Sequence, residues 1–151
     1  MGEMLAGWVA TKLVDQGLAS SMGAKRIIIV CCSLGAAVCA IALPFTQSIT
    51  MTIVLMTVGL AFIAATIGNA WALAADIAPS SMVASVSAIQ NFGGYFGGAF
   101  SPVTAGFIVD RTGSYSLAFV IGGAIAGCAA LFYWFMARKR IVDASANQVA
   151  Y

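Results

Sequence analysis

Residues 49–79 read ITMTIVLMTVGLAFIAATIGNAWALAADIAP, and no charge occurs in them before Asp76. An uncharged run from Ile49 to Ala75 makes a helix about 40 Å long at 1.5 Å per residue, more than the roughly 30 Å hydrocarbon core of a bilayer. The run is apolar on every face. A helix of that kind is buried in a large core or in lipid. The rest of the chain decides between the two. It has 151 residues, 62% of them hydrophobic and 8% charged, with a mean hydropathy of +1.00. Soluble domains are about 25% charged, so this chain lacks the polar residues to cover a water-facing surface. The sequence predicts an all-α membrane protein.

Working outward, residues 27–43 form a second uncharged stretch, stopped by Pro44. Residues 81–109 and 115–137 form two more. The breaks at Pro44–Ser48, Asp76–Ser80 and Asp110–Ser114 are short and built from turn formers. Four complete transmembrane helices are therefore expected, at 27–43, 49–75, 81–109 and 115–137. Residues 4–13 are apolar but only half as long as a span requires. Glu3 stands before them and Lys12 follows, unlike a signal peptide. Residues 1–13 thus read as the end of a helix whose beginning is missing. Residues 14–26 read as a loop, and 138–151 as a tail.

The basic residues fix an orientation. Lys12, Lys25 and Arg26 precede the four spans, and Arg138, Lys139 and Arg140 follow them. An even number of spans places both groups on one side, together with Asp76. The other side holds Asp110 and Arg111, which cancel. By the positive-inside rule the loop and the C-terminal tail are expected to be cytoplasmic. Phe132, Tyr133, Trp134 and Phe135 read as an interfacial aromatic belt, with Tyr115 at the opposite end.

Several chemistries find no support. There is no histidine, and none of the four cysteines forms a C-x-x-C pair. No phosphate-cradling loop and no close pair of acids occurs. Asp76, followed by Ile77-Ala78-Pro79, reads as a helix-end residue and as the only acid near a span. No metal, cofactor or nucleic acid is expected, and no enzyme.

Two features inside the spans are informative. Gly93 with Gly97, and Gly94 with Gly98, are overlapping G-x-x-x-G pairs, and Gly123 with Gly127 is another. They suit close helix packing, and with Pro102 they also make the third complete helix easy to bend. The polar residues of the spans are few: Asn69 near Trp71, then Gln90 and Asn91. Ser87, Asn91 and Tyr95 share one helical face. An amide in hydrocarbon needs a partner or a wet cavity. These amides therefore either lock helices together or face a substrate.

Three segments carry a resemblance. Gly7-Trp8-Val9-Ala10-Thr11-Lys12 with Gly23-Ala24-Lys25-Arg26, the run Asn69 to Pro79, and Ala88-Ile89-Gln90-Asn91-Phe92-Gly93-Gly94 continuing to Ser101-Pro102 resemble the C-terminal half of major facilitator superfamily transporters. The likeness is greatest to the anion:cation symporters of sugar acids and related organic anions. It implies a partial major facilitator fold in which the four complete spans are the ninth to twelfth helices. It also implies the C-terminal fragment of a secondary active transporter, a proton-coupled symporter of the hexuronate, aldarate and aldonate class, in a bacterial inner membrane. In such symporters the tenth and eleventh helices line the cavity. That places Trp71 and Asn91 against the substrate, with Asn69 and Gln90 as further candidates. The residues that bind the anion and carry the proton fall mostly in the other half, so the chain is expected to need the preceding helices as partner. Thr11 stands where the family often has an acid, and Ser80-Ser81-Met82 where it often has a basic residue. Two other functions fit four helices: a small carrier working as a dimer, or a non-transporting membrane subunit. An early-helix acid, which the small carrier needs, is lacking from residues 27–75.

Overall fold

The computed structural model describes residues 2–136. They form α1 (Gly2–Asp15), α2 (Ser21–Ala42), a 3-10 turn (Leu43–Phe45), α3 (Ile49–Ile77), α4 (Val83–Thr112) and α5 (Ser116–Met136). The expected tail 138–151, with Arg138, Lys139 and Arg140, lies outside the described residues.

Local chemistry sets the boundaries. Ser20 caps α2, its hydroxyl accepting from the Gly23 amide at 3.2 Å. Pro44 lies in the 3-10 turn that ends α2. α3 stops because Ala78 precedes Pro79 and takes the extended conformation that a following proline favours (φ −77°, ψ 140°). α4 ends at Gly113, whose φ of 68° is the left-handed geometry that glycine adopts freely, and whose amide donates to the Val109 carbonyl at 2.7 Å.

The helix α2 is the hub. One cluster joins α1, α2 and α3 through Ala6, Ala10, Ile28 and Ala65. A second joins α2 to α3 through Ile29, Ala70 and Leu73, with Tyr133 of α5 packed against it. Alanines dominate the buried set. Lipid offers no hydrophobic gain for bringing helices together, so small residues that permit close backbone contact hold the bundle. Glycines serve the same end. A Cβ on Gly2 would stand 2.5 Å from the Ala61 carbonyl oxygen, and one on Gly123 would stand 2.7 Å from Ile41 Cγ1 and 3.0 Å from the Ala37 carbonyl oxygen. Large apolar side chains such as Leu34, Val38, Ile53 and Ile125 point outward, as a lipid-facing surface requires.

Three helical segments, Ser21–Phe45, Ile49–Ile77 and Ser116–Phe135, are long and apolar enough to cross a membrane. α4 is the longest helix at 30 residues, about 45 Å at 1.5 Å per residue. Its length suffices, but its serines, glycines, Gln90 and Asn91 lower its apolarity. It buries no residue.

Tyr133 corrects one expectation. Phe132, Trp134 and Phe135 are exposed as a belt should be, whereas Tyr133 is half-buried against the Ile29–Leu73 cluster. It lies one helical turn after Ala130, which is 1% exposed, so helix periodicity turns it inward.

Candidate functional site

One end of the bundle collects charge. Lys25 Nζ meets Asp76 Oδ2 at 2.7 Å and approaches the Ala72 carbonyl at 3.5 Å, while Ser21 Oγ donates to the same carboxylate oxygen at 3.0 Å. The start of α2 is thereby tied to the end of α3. Arg26 stacks on the Trp134 ring at 5.0 Å, tying in the end of α5. Asp76 is thus engaged at a helix end, in keeping with its place before Pro79. Both side chains of the pair are three-quarters or more buried, so the desolvation of each charge offsets much of their attraction, and removing one partner would leave the other uncompensated.

Two of the cavities along α3, the larger ones, open on different faces of it. The cavity between α3, α4 and α5 holds about 560 Å³ and is lined by Trp71, Gln90, Asn91, Tyr95 and Tyr133, with Thr66 behind them. α3 supplies Thr66 and Trp71, α4 supplies the two amides, and α5 supplies Tyr133. An indole gives an apolar wall with one donor, each amide gives donors and an acceptor, and each phenol gives one hydroxyl. Gly94 adds no side chain there, which keeps the wall of α4 open. The arrangement offers neutral hydrogen-bonding groups around an apolar floor, the composition of a site for a small hydroxylated molecule.

Three of the four residues singled out from sequence, Trp71, Gln90 and Asn91, therefore meet in one cavity. Asn69 does not join them. It is 4% exposed, donates from Nδ2 to the Ala65 carbonyl at 2.9 Å, and borders the second cavity, between α1, α2 and α3. The reason is the helical period: Asn69 and Trp71 are two residues apart and so face about 200° apart. The same period, counted from Ala130, could have flagged Tyr133.

The α4 glycines are not packed against any described helix. A Cβ on Gly93, Gly94, Gly97 or Gly98 meets no atom within 4 Å, and the same is true of Gly127. Among the G-x-x-x-G positions, Gly123 alone makes a close helix contact within the described residues.

A helical bundle with lipid-length apolar spans, a neutral polar cavity between them and a charged lock at one end defines a multi-pass membrane protein. The model of the Major Facilitator Superfamily matches residues 2–149, and the chain belongs to that family. It is 35% identical over 142 residues to a probable L-galactonate transporter of Escherichia coli strain K12, covering 94% of this chain and 31% of the relative. It is 31% identical over 138 residues to a D-galactonate transporter of Escherichia coli O6:H1, covering 88% of this chain and 30% of the relative. It is 33% identical over 99 residues to a probable sulfoacetate transporter of Cupriavidus necator, covering 66% of this chain and 23% of the relative. The chain spans less than a third of the length of these relatives.

Proposed function

We propose that this chain supplies the C-terminal, substrate-lining helices of a proton-coupled symporter of organic anions in the sugar-acid class. The observation that carries the reading is the convergence of Trp71, Gln90 and Asn91, from two different helices, on one cavity. Relatives named as galactonate and sulfoacetate transporters support the substrate class. Asn91 and Gln90 hydrogen-bond the hydroxyls of the substrate, and Trp71 forms the apolar wall beneath its carbon chain. Tyr95 and Tyr133 complete the ring of donors. Asn69 is left out, because its amide is committed to the Ala65 carbonyl.

The cavity lining carries no positive charge among the described residues. The group that neutralises the anion therefore comes from preceding helices of the same transporter. Those helices also cover the open glycine face of α4, in keeping with sites that lie between repeats. The end bearing Lys25, Arg26 and Asp76 faces the cytoplasm of a bacterial inner membrane, with the short connection at 16–20 between α1 and α2 on that side. Alone, the chain does not transport.

Uptake of labelled D-galactonate tests the reading. Cells expressing the chain together with the preceding helices should accumulate it, and cells expressing the chain alone should not. Asn91→Ala should raise KM about 3- to 10-fold, the loss of one hydrogen bond, with membrane assembly unchanged. Robust uptake by the isolated chain, or an Asn91→Ala protein with unaltered KM, overturns it.

A further inference from the structure

The half-buried guanidinium of Arg26 has no counter-ion among the described residues. We propose that Arg26 and Trp134 form a binding site for the phosphate group of an anionic phospholipid, with an acyl chain lying along the outer face of α2. The inference goes beyond the transport reading and does not depend on it.

Arg26 Nε is enclosed by protein and makes no hydrogen bond, and among the described residues it is the sole enclosed side-chain nitrogen or oxygen left so. A charged donor held out of water in this way is costly until the group as a whole is compensated. The acid at this end of the bundle does not compensate it. Asp76 takes Lys25 at 2.7 Å and the Ser21 hydroxyl at 3.0 Å, and makes no ion pair with Arg26. Lys25 is thereby neutralised while Arg26, its neighbour in sequence, is not.

Trp134 decides which part of the guanidinium remains available. The indole lies against its face, with Cζ 5.0 Å from the ring centroid. Stacking uses the face of this planar group and leaves the outer N–H edge, carried by Nη1 and Nη2, to an anion in the same plane. That fork matches a phosphate, and a lysine ammonium cannot reproduce it.

The setting favours a lipid phosphate over a free one. Arg26 lies five residues into the span Ser21–Phe45, and Trp134 is next to last in the span Ser116–Phe135. Both therefore stand within about 8 Å of a span end, at the depth of the headgroups. From there Ile27, Cys31, Leu34 and Val38, all exposed, run down α2 at the three- and four-residue spacing of one helical face. An apolar lane thus begins beside the cation. A cation at headgroup level above a strip for hydrocarbon suits both ends of a phospholipid, whereas a free ion would use only the first.

Thermal unfolding of the chain in neutral detergent, titrated with phosphatidylglycerol or phosphatidylcholine of the same acyl chains, tests this. Phosphatidylglycerol should stabilise the parent at about one tenth of the concentration that phosphatidylcholine needs, a ratio within reach of one charge-assisted hydrogen bond. Arg26→Gln should abolish that preference. Lys12→Gln, which removes the same charge from α1, should keep it. Equal potency of the two lipids on the parent, an undiminished preference in Arg26→Gln, or an equal loss in Lys12→Gln overturns the assignment. So does equal stabilisation by inorganic phosphate, which would make the ligand a free anion. If Arg26→Gln does not fold, a chain whose only tryptophan is Trp134 (Trp8→Phe with Trp71→Phe) decides. Brominated phosphatidylglycerol should quench its emission more than brominated phosphatidylcholine at equal mole fraction, and equal quenching overturns the site.

Discussion

The helices α2 and α4 are neighbours in sequence order with only α3 between them, yet they are built for opposite purposes. α2 buries seven residues, among them Ala24 and Ile29 at 0% exposure, and touches α1, α3 and α5. α4 is eight residues longer and buries none. Both carry small residues in plenty. In α2 and its partners many of these are used up in close helix contact; in α4 they are left open, with Phe92 stacked on Phe96 at 5.6 Å and Phe96 edge-on to Phe100 at 5.0 Å between centroids. A small residue therefore does not define a packing surface by itself. What the neighbouring helix presents decides the outcome.

That contrast can be broken by substitution. Leu73, 1% exposed in the α2–α3 core, should show the largest effect: Leu73→Ala should cost about 2–5 kcal/mol, the range for a truncated core side chain. Equilibrium unfolding in mixed detergent measures it. Gly123→Val comes next, at about 1–3 kcal/mol, because the added carbons meet Ile41 and the Ala37 carbonyl and push α5 off α2. Asp76→Asn should cost a similar amount, about 1.5–3 kcal/mol, the value of a hydrogen bond to a charged group, since Lys25 keeps the Ala72 carbonyl within reach. The loss should be insensitive to Asp110→Asn at the other end of the bundle.

The α4 side of the comparison predicts the reverse. Gly97→Ala should leave the unfolding of the isolated chain unchanged or raise its stability by up to about 1 kcal/mol, through helix propensity alone. The same substitution in the transporter with its preceding helices should weaken assembly if those helices cover this face. A fall in stability of the isolated chain as large as that of Gly123→Val would erase the distinction between the two helices.

Much of the architecture was legible in the sequence for one reason. The distribution of twelve charges among long apolar runs leaves few ways to thread a chain through lipid. The breaks at Pro44, Pro79 and Asp110–Ser114 coincide with the ends of α2, α3 and α4, whereas the Ser20 cap went unread because polar residues 14–26 read as a loop. The cavity was half legible. Trp71, Gln90 and Asn91 stood out as polar or amphipathic groups in apolar helices, and they do converge. Asn69 stood out equally and faces elsewhere, because polarity marks a residue without stating its azimuth. Tyr133 read as part of an aromatic belt, and only the position of Ala130 one turn earlier hints that it turns inward.

The sequence by itself determined that the chain is helical and membrane-bound, because too few polar residues are present to face water. It did not determine where every helix begins: α2 starts at Ser21, inside residues 14–26 that read as a loop. Only the tertiary structure decided which small residues touch and which amides share a cavity. Those facts depend on the rotation and depth of one helix against another. Helix rotation and depth are set by side chains far apart in the chain, so no local pattern records them.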